Sequence, residues 1–263
     1  MYKRQDELGE LAASVNVMLT NLEKSRERQK RLIGDASHEL RTPLTSMRTN
    51  VELLLADQKT GMLPEQARGE ILTDIAAQLG EFSSLIGDLV QLSREDAPPP
   101  RPEIMDLADV VARAVQRAKR RGPTMVFDVQ TESQLVLGDS QAIERSVTNL
   151  LDNAVKFSPS GGRITVRMAD ETITVADEGP GISDEDLPHI FDRFYRSDQS
   201  RNTPGTGLGL SIVAHTVNSH GGWIKASRAP GGGALFTMHL PTVDPDDVAG
   251  NESAGSESLL TSE

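Results

Sequence analysis

The string GDASHELRTPLTSM, Gly34 to Met47, carries a histidine with an acid beside it and a proline five residues on. On a helix, His38 lies about 200° from both Ala36 and Leu40, so it points away from the apolar seam that runs through them. Glu39 sits one residue's rotation to the side, and Thr42, four residues on, shares the histidine's face. A carboxylate next to an outward imidazole can orient the ring and take its proton, leaving the other ring nitrogen to attack an electrophile. Pro43 has no N–H to give to residue 39 and should loosen or bend the helix beside the histidine. Taken alone, a single histidine there reads first as a solvated surface residue, and Arg41 as a solvated helix arginine.

Further along, four strings have the chemistry of a phosphate and purine site. In TNLLDNAVKFS, Asn149, Asn153 and Lys156 fall on one flank of a helix whose neighbouring face holds Ile143, Val147, Leu150 and Ala154. Two amides at i,i+4 with a lysine can hold a hydrated Mg2+ and triphosphate oxygens, because magnesium wants oxygen ligands and keeps waters. An ordinary amphipathic helix with polar edges has the same pattern. In VADEGPGI a strand ends at Asp177, whose carboxylate can accept a hydrogen bond from an adenine amino group. Gly179 and Gly181 let backbone approach a flat ligand, though turns use glycine in any case. IFDRFYRS gathers Phe191, Phe194 and Tyr195 into an aromatic plug, with Arg193 and Arg196 reaching either phosphates or solvent. GTGLGLSIV sets Gly205, Gly207 and Gly209 ahead of a helix, where free amides and the helix dipole suit phosphate. It is not a P-loop, since no Gly-Lys-Ser/Thr comes after it, nor a dinucleotide turn, since no strand directly precedes it. Between the last two strings, DQSRNTP has the composition of a mobile lid.

These groups need elements to hold them. Leu8, Leu11, Val15, Met18 and Leu22 keep heptad steps, and a charged helical connector continues to Arg31. Leu40, Leu44, Met47, Val51 and Leu54 form one apolar stripe, and Ile71, Ile75, Leu79, Phe82, Ile86 and Leu89 form another. Gly61 and Pro64 mark a turn between them. One hairpin leaves part of each stripe bare, so two chains should pair as a four-helix bundle. EDAPPPRPE is an extended linker. After it, helical spacing at Leu107, Val111, Ala114 and Ala118 gives way to β-branched runs, MVFDV, RITVRM, TITVAD, WIKAS and ALFTMHL, with helices at 140–157 and 207–219. That alternation predicts an α+β sandwich, helices on one face of a mostly antiparallel sheet. The fold class expected is therefore multidomain: an all-α hairpin forming a dimeric four-helix bundle, then an α+β sandwich. The tail from Asp244 is acidic and rich in Gly and Ser, the composition of disorder.

The 263 residues include no cysteine, which excludes a disulfide framework and a cysteine nucleophile. A formal net charge of −12 argues against a broad nucleic-acid face. No stretch reaches the ~18 apolar residues of a membrane span. His189, His215, His220 and His239 have no metal spacing and are expected on the surface or in loops; Asn251-Glu-Ser is discounted as a glycosylation acceptor.

SHELRTP with its aliphatic seam resembles the phosphoacceptor box of sensor histidine kinases. The four later strings resemble, in order, the N box, the Asp-x-Gly-x-Gly box, the F box and the glycine box of their ATPase fold, which is shared with gyrases, chaperones and mismatch-repair proteins. The resemblance implies residues 1–31 as the end of a HAMP signalling helix and connector, and 32–96 as the dimerisation and phosphotransfer hairpin. It implies 97–103 as linker, 104–243 as ATP-binding domain and 244–263 as tail. It makes His38 the autophosphorylated residue, Glu39 its acid–base partner and Thr42 a positioner of water for dephosphorylating the partner. It makes Asn153 the Mg2+ ligand with Asn149 in support, Lys156 a phosphate contact and Phe157 a neighbour of the base. Asp177, Gly179, Gly181, Gly205, Gly207, Leu208 and Gly209 complete the ATP site. The implied partners are a response regulator's receiver domain and a second copy of the chain, with no nucleic acid. The chain would be the cytoplasmic piece of a longer, membrane-anchored protein. A non-catalytic, dimeric nucleotide-sensing scaffold is the competing function.

Overall fold

The computed structural model describes residues 3–93, 102–200, 203 and 205–243. The chain divides into two compact units, one helical and one α/β. The Pro-rich stretch of the linker and the acidic tail lie outside the described residues.

The helical unit is a hairpin of α1 (Lys3–Thr60) and α2 (Glu65–Ser93). The expected signalling helix, connector and phosphoacceptor helix are thus one helix, which runs unbroken through Pro43. The side chains of Leu8, Leu11 and Leu22 lie outside the described residues, while Val15 and Met18 are exposed. The helix continues through residues 56–60, up to the turn expected at Gly61. α1 stops at Gly61, which takes φ +62° and donates its N–H to the Asp57 carbonyl at 2.7 Å, a left-handed C-terminal stop. Asp57 is buried there; its carboxylate accepts from the Leu63 N–H at 2.6 Å and from Arg68. The Leu63 amide and the Arg68 guanidinium hold its carboxyl below the usual carboxylate range against the opposing pull of burial. Ala36, Met47 and Leu85 on the hairpin are buried, whereas Leu44, Val51, Leu79 and Ile86 remain exposed. Each apolar stripe is therefore only half used within one chain.

The α/β unit contains β1 (Glu103–Asp106), α3 (Leu107–Arg121), β2 (Val126–Thr131), β3 (Leu135–Gly138), α4 (Ser140–Phe157), β4 (Arg163–Ala169), β5 (Thr172–Ala176), α5 (Gly209–Ser219), β6 (Trp223–Arg228) and β7 (Ala234–His239). α3 begins because the Asp106 carboxylate accepts from the Ala108 N–H at 2.9 Å, and α4 because Asp139 does the same for Gln141 and Ala142. Both helices bury one stripe: Val110, Val111, Ala114 and Ala118 on α3, Ile143, Val147, Leu150 and Ala154 on α4. Arg113 and Arg117 pair with Glu144, and Arg121 with Asp152, across the α3–α4 seam.

Five strands form one sheet in the order β2-β4-β5-β7-β6. β4, β5 and β7 alternate buried and half-buried residues, so Ile164, Val166, Ile173, Val175, Phe236 and Met238 face the helices. Three of the four strand contacts in this sheet are antiparallel, as expected of a mostly antiparallel sheet. The fourth, β2 with β4, is parallel, with α4 as part of the crossover between them. β1 and β3 form a separate antiparallel pair, and β1 begins at Glu103, within the expected linker. EIMD and LVLG are too short to show alternation, and each is stabilised by the other across a gap of about thirty residues rather than by a local signal. Among the described residues no helix is long and apolar enough to cross a membrane.

Candidate functional site

β5 is the central strand of the sheet, and Asp177 comes directly after its last residue. This location buries the side chain to 6% exposure. Its Oδ1 accepts the Gly179 N–H at 2.8 Å and the Ala234 N–H at 3.1 Å, and its own N–H donates to the Ala234 carbonyl at 3.0 Å. Both bonds to the carboxylate fall on Oδ1, so Oδ2 keeps acceptor capacity for an incoming donor. Burial raises the carboxyl above its ordinary value, against the two amide bonds that favour the anion.

Close backbone approach surrounds this carboxylate. A Cβ on Gly179 would lie 2.8 Å from the Phe157 carbonyl oxygen, so the Asp177 turn abuts the end of α4. Gly181 takes φ +78°, and a Cβ there would meet the Gly232 carbonyl oxygen at 2.9 Å. A Cβ on Gly233 would meet the Asp177 carbonyl oxygen at 1.9 Å. Sequence reasoning misses these glycines of the β6–β7 turn, in RAPGGGA, although three consecutive glycines before a strand are a signal of close approach.

α4 carries Asn149, Asn153, Lys156 and Phe157, all half-buried. The Asn149 side-chain amide donates to the Gly209 carbonyl at 3.2 Å, tying the middle of α4 to the first turn of α5. The Lys156 ammonium stands 4.8 Å from the centroid of the Phe157 ring. Leu208 is fully buried and precedes α5 without a side-chain cap, which leaves the helix's first amides without that partner. Gly207 takes φ +71° and Gly205 φ +151°. The α4 flank thus meets the Asp177 turn at Phe157 and the start of α5 at Asn149, and this junction is the candidate cup. Among the described residues no group of three or more His, Cys, Asp or Glu could hold a metal ion. The donor set of the cup is amide oxygen, which suits a magnesium ion that keeps waters and phosphate oxygens in its shell.

In the helical unit, Thr42 is exposed. The side chains of His38 and Glu39 lie outside the described residues, and with them the outward direction expected for the imidazole. Arg196, expected to meet phosphate or solvent, instead donates to the carbonyls of Ser200 at 2.7 Å and Thr203 at 2.6 Å, organising its own loop. Two histidines also differ from expectation. His220 is wedged against Gly138, accepts the Asp139 N–H on Nε2 at 3.0 Å and contacts the Thr216 carbonyl through Nδ1 at 2.6 Å. His239 lies on β7, stacked on Trp223 with centroids 5.4 Å apart and with Nε2 3.2 Å from Glu171. His220 thus links the start of α4 to the end of α5, and His239 links β6 to the β4–β5 turn.

Residues 138–244 match the family described as histidine kinase-, DNA gyrase B- and HSP90-like ATPases, and residues 28–98 match the His Kinase A phosphoacceptor domain. Over 260 residues the chain is 48% identical to the signal transduction histidine-protein kinase/phosphatase MprB of Mycolicibacterium smegmatis, covering 95% of this chain and 53% of that protein. The protein of the same name from Mycobacterium avium is 46% identical, over 96% of this chain and 50% of its own length. The chain therefore spans about half the length of these curated relatives. A solved structure of a mycobacterial sensor histidine kinase MprB is 38% identical, with TM-score 0.51 over 53% of this chain and 98% of that one. The Acinetobacter baumannii histidine kinase AdeS is 25% identical, with TM-score 0.59 over 79% of this chain and 98% of its own.

Proposed function

Because the chain belongs to the sensor histidine kinases of two-component systems, we propose that it binds Mg-ATP in the cup around Asp177, phosphorylates His38 and passes the phosphoryl group to an aspartate of a response regulator. The observation that carries this reading is the buried Asp177, held by two backbone amides on one oxygen beside the amide row of α4.

In this reading each residue has a physical task. Asp177 accepts the adenine amino hydrogen through its second oxygen, and Gly179 and Gly181 keep the turn thin enough for the ring to enter. Asn153, supported by Asn149, holds the magnesium, which supplies charge neutralisation for the phosphates. Lys156 and the first turn of α5, from Gly207 through Leu208 to Gly209, meet phosphate oxygens. Phe157 lines the base side, and Gly205 belongs to the approach to α5. At His38 a nitrogen–phosphorus bond forms as the bond from phosphorus to the β-phosphate oxygen breaks, and Glu39 takes the ring proton. Positioning and charge neutralisation do most of the work, as in other phosphoryl transfers. The residue ranges 1–31, 32–96, 97–103, 104–243 and 244–263 are the proposed functional segments.

Incubation with γ-labelled ATP and Mg2+ tests the assignment. His38→Gln should abolish an acid-labile, base-stable label and leave ATP affinity unchanged. Label that survives in His38→Gln means another acceptor. Thr42, exposed on the same helix four residues past His38, supports a second activity, dephosphorylation of the partner. Thr42→Ala should keep self-labelling and lose that reaction; if both survive, Thr42 has no such role.

A further inference from the structure

Three non-glycine residues take positive φ among the described residues: Asp170 at 48°, Glu171 at 61° and Phe194 at 61°. The first two form the two-residue turn joining β4 to β5, where such angles match the twist of a hairpin. Phe194 belongs to no hairpin. A left-handed aromatic residue is disfavoured by its own Cβ and persists only where its surroundings over-determine it. The ring is not part of the core that holds its neighbours. Phe191 and Tyr195 pack against the core, and the Tyr195 hydroxyl donates to Asp186 at 2.6 Å, whereas Phe194 is half-buried and outside the core cluster.

The constraint is in the backbone. The Phe194 N–H donates to the Gly207 carbonyl at 3.0 Å. Gly207 is itself left-handed, and a Cβ on it would lie 2.7 Å from the Phe194 carbonyl carbon. Two left-handed residues thus sit against each other and close the ends of the intervening segment. The next two residues along the chain are equally constrained. Leu208 is fully buried, and the Gly209 carbonyl accepts from Asn149 at 3.2 Å. A continuous set of contacts therefore runs from Phe194 through Gly207 and Gly209 to the amide row of α4.

We propose that Phe194 is a positioning residue whose left-handed backbone, rather than its ring, sets the first turn of α5 in register with Asn149 and Asn153, and so tunes recognition of the phosphates and not of the base. This rests on the reading that the cup binds ATP. Phosphate recognition depends on where several backbone amides stand relative to the α4 amides, and a shift of the clasp moves all of them together. The base contact at Asp177 is held separately, by Gly179 and Ala234.

The test compares three variants of the whole chain. Phe194→Gly and Phe194→Asn lose the ring but still reach the left-handed region; Phe194→Val is β-branched and resists it. Self-phosphorylation gives KM for ATP and kcat, and equilibrium titrations give affinities for Mg-ATP and for adenosine, which has no phosphates. The expected result is a rise of about tenfold in KM for ATP in Phe194→Val, with adenosine affinity unchanged. Phe194→Gly and Phe194→Asn should stay near the parent in both. Loss in Phe194→Gly and Phe194→Asn equal to that in Phe194→Val overturns the proposal, since the ring would then be what acts. So does adenosine affinity falling in step with ATP. If Phe194→Val does not fold, the other two decide: retained Mg-ATP affinity supports the backbone role and lost affinity overturns it. A parent chain that binds no ATP overturns the functional reading and this inference together; a parent that binds ATP while Phe194→Val matches it, or while Phe194→Gly and Phe194→Asn fall as far as Phe194→Val, overturns this inference alone.

Discussion

Asp177 concentrates the physics of the site in one carboxylate. Burial raises its pKa and two amides partly restore the anion. Because the folded-state value lies above the unfolded one, this group's contribution to stability is fully present below the unfolded pKa. It is lost as pH rises through the folded value. Ligand binding runs the other way, since the anion is the better acceptor for an amino group. Lowering the pH through the raised Asp177 value should therefore weaken ATP binding while this group's own linkage favours the fold, a divergence that parallel binding and unfolding titrations would detect. Asp177→Asn can keep Oδ1 for the Gly179 and Ala234 amides but turns the remaining acceptor into a donor. It should leave the fold intact and reduce ATP affinity by about ten- to a hundredfold, the range for a hydrogen bond to a charged group. Unchanged affinity by calorimetry would remove adenine from this turn.

At the scale of elements, the ends of helices do most of the positioning. Gly61 stops α1 with φ +62° and open space around its missing side chain, so Gly61→Ala meets only backbone resistance. Thermal unfolding should register a loss of about 1–2 kcal/mol. Gly80, inside α2 and also with open space, predicts the opposite sign: Gly80→Ala should stabilise by about 0.5–1 kcal/mol. Two glycines in one hairpin thus move stability in opposite directions for a conformational reason alone. His220 works between elements. Its Nε2 accepts the amide of Asp139, which starts α4, while its Nδ1 meets the Thr216 carbonyl near the end of α5. Only the neutral ring with its proton on Nδ1 serves both partners. The two helices that line the cup are therefore tied at the ends away from it.

For the whole molecule, Leu44, Val51 and Leu55 on α1 and Leu72, Leu79, Ile86 and Val90 on α2 are between 43% and 57% exposed at near-heptad spacing. Apolar surface of this periodicity calls for other helices. The chain should run at twice its monomer mass in light scattering, and Leu79→Asp combined with Ile86→Asp should give monomers of unchanged helix content; a monomeric parent would refute the pairing. What the sequence determined by itself was everything carried by short-range periodicity. That includes the two hairpin helices, α3 to α5, the five longer strands and the strings that hold Asn149, Asn153, Asp177 and Gly207. Step sizes of two, three and four are visible along a chain because side chains at those spacings share a face. Only the tertiary structure decided the pairing of β1 with β3, the parallel β2–β4 contact and the clasp of Phe194 on Gly207. It also decided the capture of Asp177 by an amide 57 residues away and the His220 latch, which spans 81. Each of those contacts uses a backbone group whose partner is chosen by how the sheet and helices stack. No local pattern of side chains encodes a backbone N–H's distant acceptor.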